Sequence, residues 1–200
     1  MSCEVCAGWR VVTGRLMVMA MVSSVVGATV AYPQDSDGRV PVPEGKEFDE
    51  ALELVQDVYR EEYDEAKSSK QKRALTTQLL EDAEDCENEA NRFVMLRVAR
   101  NIAAQANDAE LAMRAANEIA ERFQLAAGDD AHERAVLEMK LAALLRSARG
   151  ASLAEHHRSV VEQSQRVQDQ ALRGDQFEMA EKLGECAIAA AGCTAPRWPS

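Results

Sequence analysis

Aromatic side chains make up only 4% of this 200-residue chain, and it holds 10 glycines, 5 prolines and 3 histidines. Hydrophobic residues nevertheless reach 46%, so a core can form, but it must be built from Ala, Leu, Val and Met. So few glycines and prolines argue against a loop-rich all-β fold. No stretch alternates apolar and polar residues for long enough to read as a strand. An excess of positive charge is missing too. The net charge is −11, and the basic residues are scattered among acids rather than gathered in a stripe. Such a surface repels phosphate backbones, which excludes nucleic acid as a partner.

Site signatures are equally scarce. Gly128, Gly150 and Gly174 stand alone, and no G-x-x-x-x-G-K phosphate loop occurs. Ser159 and Ser164 lack a nucleophile elbow. His156 and His157 are neighbours in a helical stretch, so their side chains diverge by ~100°. Neither has a Glu, Asp, Cys or His at i+3 or i+4. His157 falls on an apolar stripe and reads as a packed interface histidine. His132, beside Asp129 and Asp130, is expected to be exposed. The acidic runs "DEALELVQDVYREEYDE" and "EDAEDCENE" lack the central glycine of a calcium loop and read as solvated faces. No catalytic, cofactor-binding or metal-ligating residue is assigned, and no cofactor is implied.

The N-terminus has the layout of an export signal. Arg10 and Arg15 precede "LMVMAMVSSVVGATVA", Leu16–Ala31, an uncharged run. Its roughly 15 apolar residues suit a signal h-region and fall short of the ~20 a spanning helix needs. Cleavage is expected after Ala31 or, alternatively, Ala28; an uncleaved segment would anchor the protein to a membrane. Removing residues 1–31 leaves 21 basic against 33 acidic residues, a net charge of −12. Cys3 and Cys6 form a C-x-x-C, but they precede the apolar run and would be discarded with it. The remaining cysteines, Cys86, Cys186 and Cys193, allow at most one internal disulfide, and Cys86 and Cys186 read at least as readily as small buried hydrophobes.

Residues 32–46, "YPQDSDGRVPVPEGK", read as a Pro-containing linker. From residue 47 to 191 the pattern is helical, and residues 192–200 read as an irregular tail. The first helix, Glu47 to Ala66, places Phe48, Leu52, Val55, Tyr59 and Tyr63 on one face. The second starts at Ser68 or Ser69 and carries Leu75, Leu79 and Ala83. The third, Glu89 to Ala106, carries Phe93, Leu96, Ala99, Ile102 and Ala103. Asp108 caps the fourth, Ala109–Phe123, whose inward rows are Leu111, Ala115, Ile119 and Phe123 beside Ala112, Ala116 and Ala120. The fifth runs from Ala131 to Ala148. Ser152, with Glu155 in a capping box, starts the sixth, which points Leu153, His157, Val160, Ser164, Val167 and Ala171 inward. The seventh, Gln176–Ala191, points Phe177, Ala180, Leu183, Gly184 and Ala187 inward. The fold class is therefore all-α, as about seven helices in stacked antiparallel hairpins.

Two helix starts look alike: "NDAELAMRAANEIA" at Asn107 and "GDQFEMAEKLGECA" at Gly174. Each has an Asp, then an inward Ala, then an apolar residue seven further on (Ala112 and Ile119; Ala180 and Ala187). They resemble the second helix of a tetratricopeptide repeat, although the spacing after the Asp differs by one and no 34-residue period runs through the chain. The stretch Arg73–Phe123 is similar to an alanine-rich helical region that follows the signal in many exported planctomycete-type proteins. Its L-L-x-x-A, R-x-x-x-L-R-x-A-R and D-x-x-x-A-x-x-A patterns carry that resemblance. It implies export and a non-catalytic helical module, and it brings no site residues. The expected function is an exported interaction or scaffold module with a protein partner. The rivals are an exported enzyme or small-ligand binder with a site scattered through the sequence, and an N-terminal part of a larger extracellular protein.

Overall fold

The structure, a computed structural model, describes residues 38–192. The expected signal segment, most of the linker and the tail from Cys193 lie outside the described residues. The order of elements is β1 (Val40–Pro41), α1 (Gly45–Glu65), α2 (Ser69–Asp85), α3 (Glu89–Gln105), α4 (Ala109–Arg122), β2 (Phe123–Gln124), α5 (Asp129–Gly150), α6 (Ala154–Arg173) and α7 (Phe177–Gly192). Among the described residues the protein is all-α apart from one tiny parallel strand pair.

Local chemistry sets most helix starts. Ser68 caps α2 in a reciprocal box with Gln71. Asn88 caps α3, and Asp108 caps α4 by accepting from the Leu111 N–H at 3.0 Å. The expected Ser152–Glu155 box does not form. The cap position of α6 is Leu153, with no side-chain bond, and Leu153 is exposed rather than inward. Tertiary packing overrides the local signal here: the register that buries both His156 and His157 leaves Ser152 outside the helix.

Consecutive helices α2, α3 and α4 pack against one another in turn, and α6 and α7 form the most intimate pair. α5 lies between these groups and touches α3, α4, α6 and α7. α1 leans on α3 and barely meets α2. The core is built on alanine, as the composition requires. Ala99, Ala103, Ala112, Ala115 and Ala116 are completely buried. Such small contacts let helix axes approach toward the ~8 Å limit for packed pairs. Leu137, Leu144, Val160 and Leu183 fill the larger gaps.

The two look-alike starts belong to one structural repeat. Asn107 and Asp175 both have positive φ, +59° and +55°. Each closes its hairpin by the same pair of bonds: Asp108 N–H to the Ala103 carbonyl and Asn107 N–H to Ala104, against Gln176 N–H to Ala171 and Asp175 N–H to Leu172. This is the Schellman pattern with a left-handed residue after the cap. The two turns are 68 residues apart, from 107 to 175. At that offset buried positions coincide: Leu96 with Ser164, Ala99 with Val167, Ala103 with Ala171, Ala112 with Ala180, Ala115 with Leu183, and Ile119 with Ala187. The expected match of Asp108 to Asp175 is thus corrected by one residue. Asp175 occupies the place of the left-handed Asn107, and Gln176 that of the capping Asp108. The α3–α4 and α6–α7 hairpins are copies of one design.

Several side chains sit elsewhere than the pattern predicts. Phe123 does not extend α4. It turns extended (φ −114°, ψ 138°) and pairs in parallel with Val40, while Gln124 pairs with Pro41. Its completely buried ring meets Phe93 edge-on at 5.1 Å, and Phe93 meets Phe48 at 6.4 Å. Burying one of the few aromatics outweighs one more turn of helix. The end of the expected linker is accordingly docked, with Val40 buried, and α1 begins at Gly45. His132 is buried at 3% exposure, not solvated; its Nδ1 accepts from the Leu125 N–H at 3.1 Å and fastens the α4–α5 loop. Tyr63 and Phe177 are exposed.

Candidate functional site

The weak contact between α1 and α2 leaves a groove. α1 is held at one end by Phe48, whose ring packs on Phe93 and carries the Arg97 guanidinium 4.9 Å above it. Midway, the Tyr59 hydroxyl donates to Asp82 of α2 at 2.6 Å and also reaches Met95 Sδ of α3 at 3.8 Å. Burial first, and the Asp82 carboxylate second, push the Tyr59 hydroxyl well above its usual range, so it stays a neutral donor. A cavity of about 440 Å³ opens between the C-terminal half of α1 and the α2–α3 pair.

The floor of this groove is aliphatic, with Leu75 and Leu79 from α2 and Ile102 from α3. Tyr59 and Tyr63 form the α1 wall, and Asn101 and Gln105 of α3 stand along the opposite rim. Asn101 and Gln105 lie one helical turn apart, so their amides point the same way. The Asn101 amide oxygen accepts from Arg100 at 3.2 Å, and that of Gln105 from Lys72 Nζ at 3.4 Å. Neither bond uses the amide N–H groups, which are free to donate. Arg60 and Asp64 line the same cavity at its exposed edge. An apolar floor beneath side-chain amides is suited to holding an extended chain: the floor takes alternate side chains and the amides meet backbone carbonyls.

A second cavity, about 560 Å³, is charged. It is bounded by Val40 and by the ends of α2, α3 and α4. Glu89 pairs with Arg92 at 2.8 Å and is gripped by Arg122 of α4, and Arg92 Nε also donates to the Ala83 carbonyl at 2.8 Å. The Arg122 hydrogen bond, reinforced by the nearby Arg92 charge against the opposing effect of burial, holds the Glu89 carboxyl below its usual range. Arg114 bridges Glu84 of α2 and Glu118 of its own helix at 2.9 and 3.0 Å. This cavity is a brace: each of these arginines already has its carboxylate.

The histidines meet a third group. Arg73 of α2 lies 3.1 Å from His156 Nε2 and 3.0 Å from Asp108. His156 and His157 are both buried, and their Nδ1 atoms have no hydrogen-bond partner. His157 thus packs as the stripe predicts. Asn107 lies against α5, where a Cβ on Gly150 would meet its Oδ1 at 2.2 Å. Arg73 therefore joins α2, the α3–α4 turn and the start of α6. Nothing in its sequence context marked it. Ser164 lies against Cys186, with no base beside it; Cys86 and Cys186 are free thiols, and burial raises both above the usual thiol range. Lys140 is buried with Gln170 as its partner at 2.9 Å, and burial lowers its pKa.

Among the described residues no three His, Cys, Asp or Glu side chains stand close enough to hold a metal ion. No helix among them is long and apolar enough to cross a membrane. The groove was only partly legible in the sequence. Tyr59 and Tyr63 were placed on one face, but the amides of Asn101 and Gln105 fell between the apolar rows of α3. No family model, curated protein or solved structure matches the chain.

Proposed function

We propose that this protein is an exported, non-catalytic α-helical interaction module whose α1–α3 groove receives an extended segment of a protein partner. The observation that carries the reading is the groove itself: a 440 Å³ cavity with an aliphatic floor, a tyrosine wall and a rim of side-chain amides. Its polar groups are amides with an exposed Arg60 and Asp64, a set suited to reading a peptide backbone rather than to moving protons. Export is supported by the charged start and the short apolar run of residues 1–31. The alanine-rich resemblance of Arg73–Phe123 agrees with it.

The test is a selection of peptides from a random displayed library on the purified protein, followed by amide chemical-shift mapping. Selected peptides are expected to perturb Tyr59, Tyr63, Asn101 and Gln105, and to lose at least tenfold in affinity on Tyr63→Ala or Asn101→Ala. Failure to select any peptide, or shifts that map away from α1 and α3, would refute the groove. A reporter enzyme fused after residue 31 tests export separately, by its activity outside the cytoplasm.

A further inference from the structure

The repeat of α3–α4 by α6–α7 makes one face of α7 incomplete. In α4 the row Ala109, Met113, Ala116 lies under neighbouring helices and is 0–4% exposed. α4 packs there on α5 and α6 as well as on its own hairpin partner α3. At the offset of 68 the same row in α7 reads Phe177, Glu181, Gly184 and continues to Ile188, the equivalent of Ala120. Phe177 is 65% and Ile188 74% exposed, the largest values of any large hydrophobic side chain among the described residues. Among the described residues α7 packs on α6 and α5 and is followed by no further helix, whereas α4 is followed by α5, which packs on it.

From this we infer that the outer face of α7 docks an amphipathic α-helix of a partner protein, one that carries Lys or Arg beside its apolar stripe. The helical form comes from the molecule's own template, in which the hairpin α3–α4 is followed by a helix, α5, that packs on α4. The basic flanks come from charge. Phe177 and Ile188 are bordered by Glu178, Glu181 and Glu185; of the nearby cations, Lys182 is bound to Glu178 at 2.7 Å and Arg134 of α5 also acts on Glu178, which leaves Glu181 and Glu185 for a partner. A second copy meeting this face with its own α7 would set Glu181 and Glu185 against the same acids, and the chain as a whole carries −11. The site is separate from the α1–α3 groove and does not depend on it.

The test uses two labelled model helices with the same leucine stripe, one flanked by lysines and one by glutamates, titrated against the full chain by fluorescence anisotropy. The lysine-flanked helix is expected to bind at least tenfold more tightly. Phe177→Asp/Ile188→Asp is expected to abolish that binding with little change in melting temperature, while Tyr63→Ala in the groove, at a half-exposed side chain, leaves it intact. Equal binding of the two helices overturns the proposal, as does binding that survives the double substitution. A melting temperature that falls sharply in the double variant would mean that the chain covers this face itself, which also overturns it. Sedimentation showing a dimer that dissociates on Phe177→Asp would assign the face to a second copy instead.

Discussion

The α3–α4 and α6–α7 hairpins share one backbone plan and differ in what surrounds them. Both turn on a left-handed Asx residue, and both bury alanine at the first inward position of the second helix, Ala112 and Ala180. The first hairpin is enclosed by α2 and α5, and its mouth is tied by the Glu89–Arg122 pair. At the offset of 68 that pair becomes His157 and Ala190, two buried residues without an ion pair between them. The second hairpin has an open outer face instead. The same local design therefore serves as a packed centre in one place and as an edge in the other. The difference lies in a handful of side chains, not in the backbone.

The largest effect expected from this contrast is steric. Ala112→Leu adds three carbons to a fully buried position with helices on more than one side. It should cost about 3 kcal/mol in a urea titration, the upper part of the usual overpacking range. Ala180→Leu at the matching place should cost nearer ~1 kcal/mol, because α7 can shift outward into solvent. Equal losses at the two positions would show that the open face gives α7 no extra freedom.

That contrast also separates what the sequence could reveal from what it could not. Periodicity located every helix, because alanine and leucine rows repeat at helical spacing whatever covers them. It placed Phe177 inward for the same reason: a stripe records which residues share a face, not whether a neighbour exists to bury it. The repeat was half visible, since Ala112–Ile119 and Ala180–Ala187 have the same spacing. Its register was hidden because Asp is equally suited to a cap and to a left-handed turn. Phe123 and Val40 needed tertiary knowledge, as two-residue strands have no period to detect. Arg73 and the Asn101–Gln105 rim are polar residues between apolar rows, which is how ordinary surface positions also look.

A smaller effect is expected at the mouth of the first hairpin. Glu89→Gln keeps the shape but removes the charge that Arg92 and Arg122 share, and should cost about 1–2 kcal/mol at neutral pH. Because Glu89 titrates below its ordinary 4.5 in the folded protein, it binds fewer protons there than in the unfolded chain. Its contribution is therefore present above pH 4.5 and lost as pH falls through the lower, folded value. The gap between wild type and variant should be constant from pH 5 to 7 and close in more acid solution. A gap that persists at pH 2 would mean that the side chain stabilises by packing rather than by charge.

The smallest effect is at the turns themselves. Asp175 is exposed at φ +55°, a conformation that strains any side chain and suits glycine. Asp175→Gly removes that strain but gives the unfolded chain more freedom, and the two changes nearly offset. A net gain of about 0.5 kcal/mol is expected, or roughly 1–2 °C in melting temperature. Asn107 has the same backbone at φ +59°, yet its side chain fills the gap left by the missing Cβ of Gly150. Asn107→Gly gains the same relief from strain but opens a hole between the two halves of the fold, so it should be neutral or destabilising. The two substitutions are identical in backbone terms. If they change stability by the same amount, Asn107 is only a turn residue, and the packing of the first hairpin against the end of α5 does not depend on it.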